Sequence, residues 1–232
     1  MTSATIIAVT QPLITADGGF EGEKLTPDQF IAYAARVSNP ENQSNTLTAP
    51  KLIKYLIKNR HFSPFQMVNI VMEVTTTRDI SRQLLRHEFK AQEHSTRYAD
   101  PTKSLGFVTR EGRLQDTKNR QNSLPVANTD LEMEWQARQD AMIWSARENY
   151  NWAVTNGIAK EQARAVLPEG LVMTRLYAQN TLRGWMFYCQ ARGPVETGTQ
   201  KEHRQIAKEA WKEILKYFPS MSEVEMNMEE DQ

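Results

Sequence analysis

Residues 67–98 read MVNIVMEVTTTRDISRQLLRHEFKAQEHSTRY. Met67 to Thr76 is a β-rich run with partial alternation, which predicts a strand. Thr77 stands where a helix cap belongs, and Ile80 and Leu84 fall four apart. A helix is therefore predicted through about Arg86, with those two side chains on its inner face. The rest of the stretch is dense in polar side chains. Arg82 and Arg86 share a helix face, where like charges destabilise by roughly 0.2–0.5 kcal/mol unless an anion or carboxylate lies between them. With Ser95, Thr96 and Arg97 downstream, the run offers planar donors plus hydroxyls, the donor set a phosphate monoester needs. The same pattern also suits a solvated, charged helix end.

Outward from this stretch, residues 4–9 (ATIIAV) predict a first strand, and Thr26–Pro27 a helix start with Phe30, Tyr33, Ala34 and Val37 at helical spacing. Asn39 to Thr48 reads as a loop, and Leu52, Tyr55 and Leu56 mark a helix ending near Asn59. Pro101 to Asn128 is polar and predicts a long loop, a lid or an oligomer contact. Thr129 with Glu132 matches a capping box opening a helix to about Gly157, and Thr199 with Glu202 a second one before Ile206, Trp211 and Ile214. Between them, Leu171 to Gln179 predicts a strand and Asn180 to Ala191 a helix. The mixed order indicates one α+β domain over residues 1–220, followed by an acidic tail, 221–232, expected to fray.

Composition narrows the function classes. The chain of 232 residues is 40% hydrophobic and 24% charged, ordinary for a soluble globular protein. Its 28 basic and 28 acidic residues leave no net charge, which argues against a general nucleic-acid binder but not against a local anion site. The single cysteine, Cys189, excludes internal disulfides and multi-cysteine metal sites and suits a reducing compartment. It sits among Trp185, Met186, Phe187 and Tyr188, so a buried structural thiol is the expectation rather than a nucleophile. No basic leader opens the sequence and no run of about 18 apolar residues occurs, so a cytoplasmic protein with no membrane partner is expected. Walker, GxGxxG, GxSxG and HExxH patterns are missing.

A second basic group, Arg164, Arg175, Arg183, Arg192, Lys201, His203 and Arg204, lies among apolar residues such as Leu167, Leu171 and Trp185. Partly desolvated cations need pairing, either by an anionic ligand or by neighbours such as Glu161, Glu196 and Glu202. His61, before Phe62-Ser63-Pro64-Phe65, fits a helix-to-strand turn.

Taken together, these segments resemble the flavin-dependent thymidylate synthases. That family's signature is Arg-His-Arg, seven residues, then Ser, continuing Ser-x-Arg-Tyr; here it reads Arg86-His87-Glu88 … Glu93-His94-Ser95-Thr96-Arg97-Tyr98. Further matches in the family's order are Tyr33-Ala34-Ala35-Arg36-Val37-Ser38, His61 to Phe65, Ser81 to His87, Ala163 to Pro168, Leu182-Arg183-Gly184-Trp185 and Thr199 to Arg204. They cover about residues 25–215, in a style most similar to versions from tailed phages and marine bacteria, for which the compartment is the host cytoplasm. Three departures stand out. Glu88 replaces the second signature arginine, the spacing to Ser95 is one residue short, and Phe187 stands where many members carry a polar flavin contact.

The resemblance implies a central, mainly antiparallel sheet flanked by helices, and reductive methylation of dUMP to dTMP with methylenetetrahydrofolate, FAD and NADPH. It implies a homotetramer with sites at subunit interfaces, and no metal. Carried over by residue, Gln83, Arg86, Glu93, Ser95, Thr96, Arg97, Arg164 and Arg192 are expected at the nucleotide, with Arg192 the catalytic residue favouring the anion at ring nitrogen 3. Ser38, Ser63, Arg86, His87, Glu88, Glu93 and Arg183 are expected at FAD, and His61 and His87 near the folate and flavin rings. The Glu88 departure leaves two further readings: a C5-methylase or hydroxymethylase of another pyrimidine nucleotide such as dCMP, or a nucleotide- or flavin-binding relic without turnover.

Overall fold

The computed structural model describes residues 2–226 and 228. Four strands form one antiparallel sheet in the order β1 (Ser3–Val9), β2 (Asn69–Thr77), β6 (Met173–Thr181), β3 (Lys90–Glu93). The α+β fold with an antiparallel sheet flanked by helices is thus the one expected. Alternation in the sequence explains its two faces. Ala4, Ile6, Ile70, Met72, Val74, Leu176 and Ala178 point into the core. Val71, Glu73, Arg175 and Tyr177 occupy the opposite, more open face. Helices α3 (Arg78–Leu85), α7 (Leu182–Arg192) and α8 (Lys201–Tyr217) cover the apolar side.

The two central strands each run straight into a helix through a threonine. Thr181 caps α7 by accepting from the Gly184 amide at 3.1 Å. Thr77 occupies the same position before α3, but its hydroxyl donates to Asp79 at 2.6 Å and accepts no helix amide. Because β2 and β6 are antiparallel, with Asn69 opposite Thr181 and Thr77 opposite Met173, the two helices begin at opposite ends of the sheet. Phe89, just beyond α3, packs on Trp185 and Tyr188 of α7, with ring centroids 4.3–5.7 Å apart. The indole N–H of Trp185 donates to the Ile70 carbonyl at 3.3 Å, so even this large side chain leaves no polar atom unpaired.

Around this frame lie α1 (Pro27–Ala35), opened by a Thr26/Gln29 capping box, and α2 (Ala49–Lys58). Beyond them come α4 (Pro101–Ser104), the 27-residue α5 (Thr129–Thr155) and α6 (Lys160–Ala163). No helix among the described residues is long and apolar enough to cross a membrane.

Several local expectations are corrected. The segment 101–128 is not a bare loop: it holds α4 and a hairpin of β4 (Arg113–Gln115) and β5 (Ser123–Pro125). Asn128, not Thr129, caps α5, and Glu132 accepts from the Gly112 amide instead of closing a capping box. Likewise Gln200 precedes α8 with no side-chain cap, Thr199 bonds Thr197, and Glu202 pairs with Arg113 at 2.5 Å. In each case a tertiary partner takes the glutamate that the capping box needs. The tail expected to fray from 221 packs instead through Met226, with Met221, Val224 and Met226 buried; Asn227 and 229–232 of that expectation lie outside the described residues.

The turn from α3 to β3 is only residues 86–89, and within it Glu88 has φ 61. A left-handed conformation is unfavourable for a residue with a Cβ. Glu88→Gly is expected to raise stability by about 0.5–1 kcal/mol, read as a higher urea midpoint at unchanged slope. A lower midpoint would show that the glutamate side chain makes a stabilising contact of its own.

Candidate functional site

The predicted site residues fall into three groups on this frame. The first is built on α3 and β3. Arg78 and Arg82, four apart, project toward Glu93 on the edge strand. Arg82 Nη1 donates to one Glu93 oxygen at 3.1 Å, and Arg78 Nη1 lies 3.7 Å from the other. That second oxygen also accepts from Ser81 and Thr174, each at 3.0 Å. The Glu93 carboxylate is engaged in holding two arginines in place. Arg164 Nη1 donates to Thr96 at 3.2 Å, and these residues line a cavity of about 360 Å³ with Arg78, Arg82 and Leu167. Arg78 Nη1 is buried with no hydrogen-bond partner. Three guanidinium groups and a threonine, with the exposed Glu169 at the same hollow, present the kind of donor set that suits a phosphate-sized anion. Ser95 and Arg97 flank Thr96; the Ser95 hydroxyl accepts from the Arg97 amide at 3.3 Å, and the Arg97 side chain pairs with Glu161 at 3.1 Å.

The second group sits where α3, α7 and α8 converge. Arg192, in the last turn of α7, donates through Nε to His87 Nε2 at 2.8 Å. A guanidinium only donates, so Nε2 accepts and the ring carries its proton on Nδ1. Burial, Arg192 and Arg86 all hold His87 below its ordinary pKa, which favours this neutral form. Tyr188 packs edge-on to His87 at 5.2 Å and lies 5.6 Å from His203. Gln83 Nε2 donates to Gln200 Oε1 at 3.0 Å, and Gln83 Oε1 lies 3.3 Å from His203 Nδ1. His203 is 1% exposed, and burial, then Arg192, His87 and Arg86, push its pKa down to about 3. Arg86 and Glu88 are exposed on either side of His87.

The third group lies at the start of α7. Arg183 stacks over Phe187 at 5.1 Å, and Phe187 meets Phe62 at 5.4 Å. Arg183 Nε is buried without a partner. Phe62 lies between His61, edge-on to Tyr55 at 6.1 Å, and Ser63, which opens a short 3₁₀ turn packed on α1 and α7. Ser38, Ser63 and His61 are exposed.

Arg86 and Arg192 thus meet around His87, whereas Arg97 lies apart on Glu161. Cys189 is fully buried and its thiol is pushed far above its ordinary pKa, so it is no nucleophile. Sequence reasoning gave Arg78 and Gln200 no site role and placed His203 only in the second basic group, not beside Gln83. Arg78 had a signal, since Arg78, Arg82 and Arg86 recur every four residues along one helix face.

Comparison with known proteins gives a consistent picture. The family model described as thymidylate synthase complementing protein matches residues 23–220. A probable flavin-dependent thymidylate synthase of Paramecium bursaria Chlorella virus 1 is 41% identical over 95% of this chain and 97% of its own length. A flavin-dependent thymidylate synthase of a Synechocystis strain is also 41% identical, over 93% of this chain and 95% of its own. The fold matches that of a UMP/dUMP methylase from Streptomyces cacaoi solved with 5-Br dUMP, with TM-score 0.76 at 23% identity over 97% of this chain and 94% of that one.

Three histidines, His87, His94 and His203, are depressed and carry a sign for acid stability. Each binds its proton less readily folded than unfolded, so between the ordinary imidazole pKa of about 6.5 and the folded value the unfolded chain holds the extra proton. Their contribution is complete above about pH 6.5 and lost as pH falls toward about 3 for His203. The urea midpoint is expected to fall from about pH 7 to about pH 5, and to fall less in His203→Leu. Equal falls in the two proteins would contradict the assignment.

Proposed function

This chain belongs to the flavin-dependent thymidylate synthase family, and we infer from that membership together with the site geometry that it methylates dUMP reductively to dTMP. Methylenetetrahydrofolate supplies the carbon, and NADPH the reducing equivalents. The observation that carries the residue-level reading is Arg192 held against neutral His87, with Arg86 alongside. We assign the hollow between α3 and β3 to the nucleotide phosphate, with Arg164, Thr96, Ser95 and Arg97 as binding residues and Arg78 and Arg82 added to them. Glu93 then acts by positioning those arginines.

Arg192 is assigned as the catalytic residue. With Nε committed to His87, its two Nη groups remain as paired donors for the pyrimidine edge. A cation there favours loss of the proton at ring nitrogen 3 and pushes electron density to carbon 5. Preorganised donors of this kind contribute about 3–4 kcal/mol to a barrier in a dry site. No protein nucleophile is required, which agrees with the buried, inert thiol of Cys189.

The residues present fit a flavin. FAD is anionic at its diphosphate and flat at its ring, and Arg183 offers a buried Nε donor without a partner beside the Phe187 and Phe62 rings. Arg183, Ser38, Ser63, Arg86 and His87 would hold it, with His61 near the rings. When bound, FAD supplies the hydride chemistry that these side chains lack. Glu88 puts an anion where the family signature has a cation, which weakens this hold without removing it. Neither the dCMP reading nor the relic reading is favoured, because Glu88 is exposed and, among the described residues, forms no hydrogen bond or ion pair with the Gln83–Arg192 group.

We also assign the chain to a homotetramer. Large apolar side chains on α5, including Trp135, Trp144 and Trp152, are left exposed. Light scattering is expected to give four times the chain mass, and a monomer would oppose this part.

Purified protein is expected to be yellow and to convert dUMP, not dCMP, when given the folate and NADPH. A protein that cannot be loaded with FAD would overturn the reading. Arg192→Ala is expected to lower kcat by about 10²–10³ with a much smaller change in dUMP affinity. An equal loss in both would reassign Arg192 to binding alone.

A further inference from the structure

The geometry points to His203 as a positioning residue that fixes the amide of Gln83 so that its nitrogen, not its oxygen, faces the nucleotide. The inference rests on the assignment of Gln83 to the nucleotide site. His203 lies in the first turn of α8, far from Gln83 in sequence, and its Nδ1 is 3.3 Å from Gln83 Oε1. An amide oxygen only accepts, so Nδ1 carries the proton. Gln83 Nε2 in turn donates one hydrogen to Gln200 Oε1 at 3.0 Å. The three side chains form a directed chain, His203 to Gln83 and Gln83 to Gln200, and one hydrogen of Gln83 Nε2 is left over. A ligand edge that meets it must present an acceptor, as a pyrimidine carbonyl does and an exocyclic amine does not.

The surroundings keep the chain pointing one way. Turning the Gln83 amide over would set its NH₂ against the His203 Nδ1–H and its oxygen against the Gln200 oxygen, two repulsive contacts in place of two hydrogen bonds. His203 is 1% exposed, and Tyr188, His87 and Arg192 crowd it, so it is shielded from a second proton by burial and by a neighbouring cation. Its Nε2 is left as a buried, unpartnered acceptor, a smaller penalty than a buried unpartnered N–H. Nothing in this arrangement touches the reacting atoms: His203 acts through Gln83.

The test measures dUMP KM and kcat on the FAD-loaded enzyme for wild type, His203→Leu, His203→Asn, Gln83→Ala and the pair Gln83→Ala/His203→Leu. Loss of one directed hydrogen bond, about 1.4 kcal/mol, corresponds to a tenfold change. His203→Leu is expected to raise KM for dUMP roughly tenfold with kcat little changed. His203→Asn, whose side-chain NH₂ replaces the Nδ1 donor, is expected to restore KM to within about twofold of wild type. His203→Leu is expected to add nothing once Gln83 is alanine. Multiplying effects in the pair, or an unchanged KM in His203→Leu, would overturn the inference. Where His203→Leu fails to fold, ¹⁵N NMR of the wild-type imidazole decides: an Nδ1–H neutral ring near pH 7 supports the inference, and an Nε2–H or doubly protonated ring overturns it. A wild-type protein that binds no dUMP in calorimetry would instead count against the nucleotide assignment, and the NMR result still stands apart from it.

Discussion

At the centre of the site a hydrogen bond of 2.8 Å, Arg192 Nε to His87 Nε2, joins parts that lie far apart in sequence. It works only while the imidazole is neutral, and the fold secures that by burying the ring against Tyr188 and placing two cations beside it. The bond ties the last turn of α7 to the short turn after α3. Both helices spring directly from the central strands β2 and β6, so the position of Arg192 is set by strand pairing rather than by loops. Sites carried on such rigid elements hold their geometry more tightly than loop-borne ones.

Charge is handled the same way. The chain has no net charge, yet Arg78, Arg82 and Arg164 gather at one hollow. Glu93 makes this possible. Its carboxylate, fixed by Ser81 and Thr174, offsets the repulsion between Arg78 and Arg82 and fixes where they point. Compensation is incomplete, since three guanidinium groups face Glu93 and the exposed Glu169, and the surplus is what an anionic phosphate supplies.

The frame was legible because its pattern is simple. β2 alternates, α3 and α7 carry apolar residues at helical spacing, and each of these elements was expected within a few residues of where it lies. β3 was not, because a four-residue edge strand, Lys90–Glu93, carries almost no apolar signal. The capping boxes at Thr129 and Thr199 failed for a tertiary reason: Glu132 and Glu202 were taken by the hairpin, through the Gly112 amide and Arg113. Within the site, Arg86 and His87 were read from the family signature, and Gln83 and Arg192 from the wider resemblance. The link of Gln200 and His203 to Gln83 was not read, since it spans more than a hundred residues and exists only once α8 has packed on α3.

The account centres on a fixed cation that draws the uracil ring toward its anion, and the ring's own ultraviolet spectrum reports that directly. Difference spectra of dUMP bound to the flavin-loaded protein, recorded against pH, are expected to show nitrogen 3 losing its proton well below the pH at which free dUMP does so. That shift should vanish in the Arg192→Ala protein. Ionisation of bound dUMP at the same pH as the free nucleotide would contradict the account.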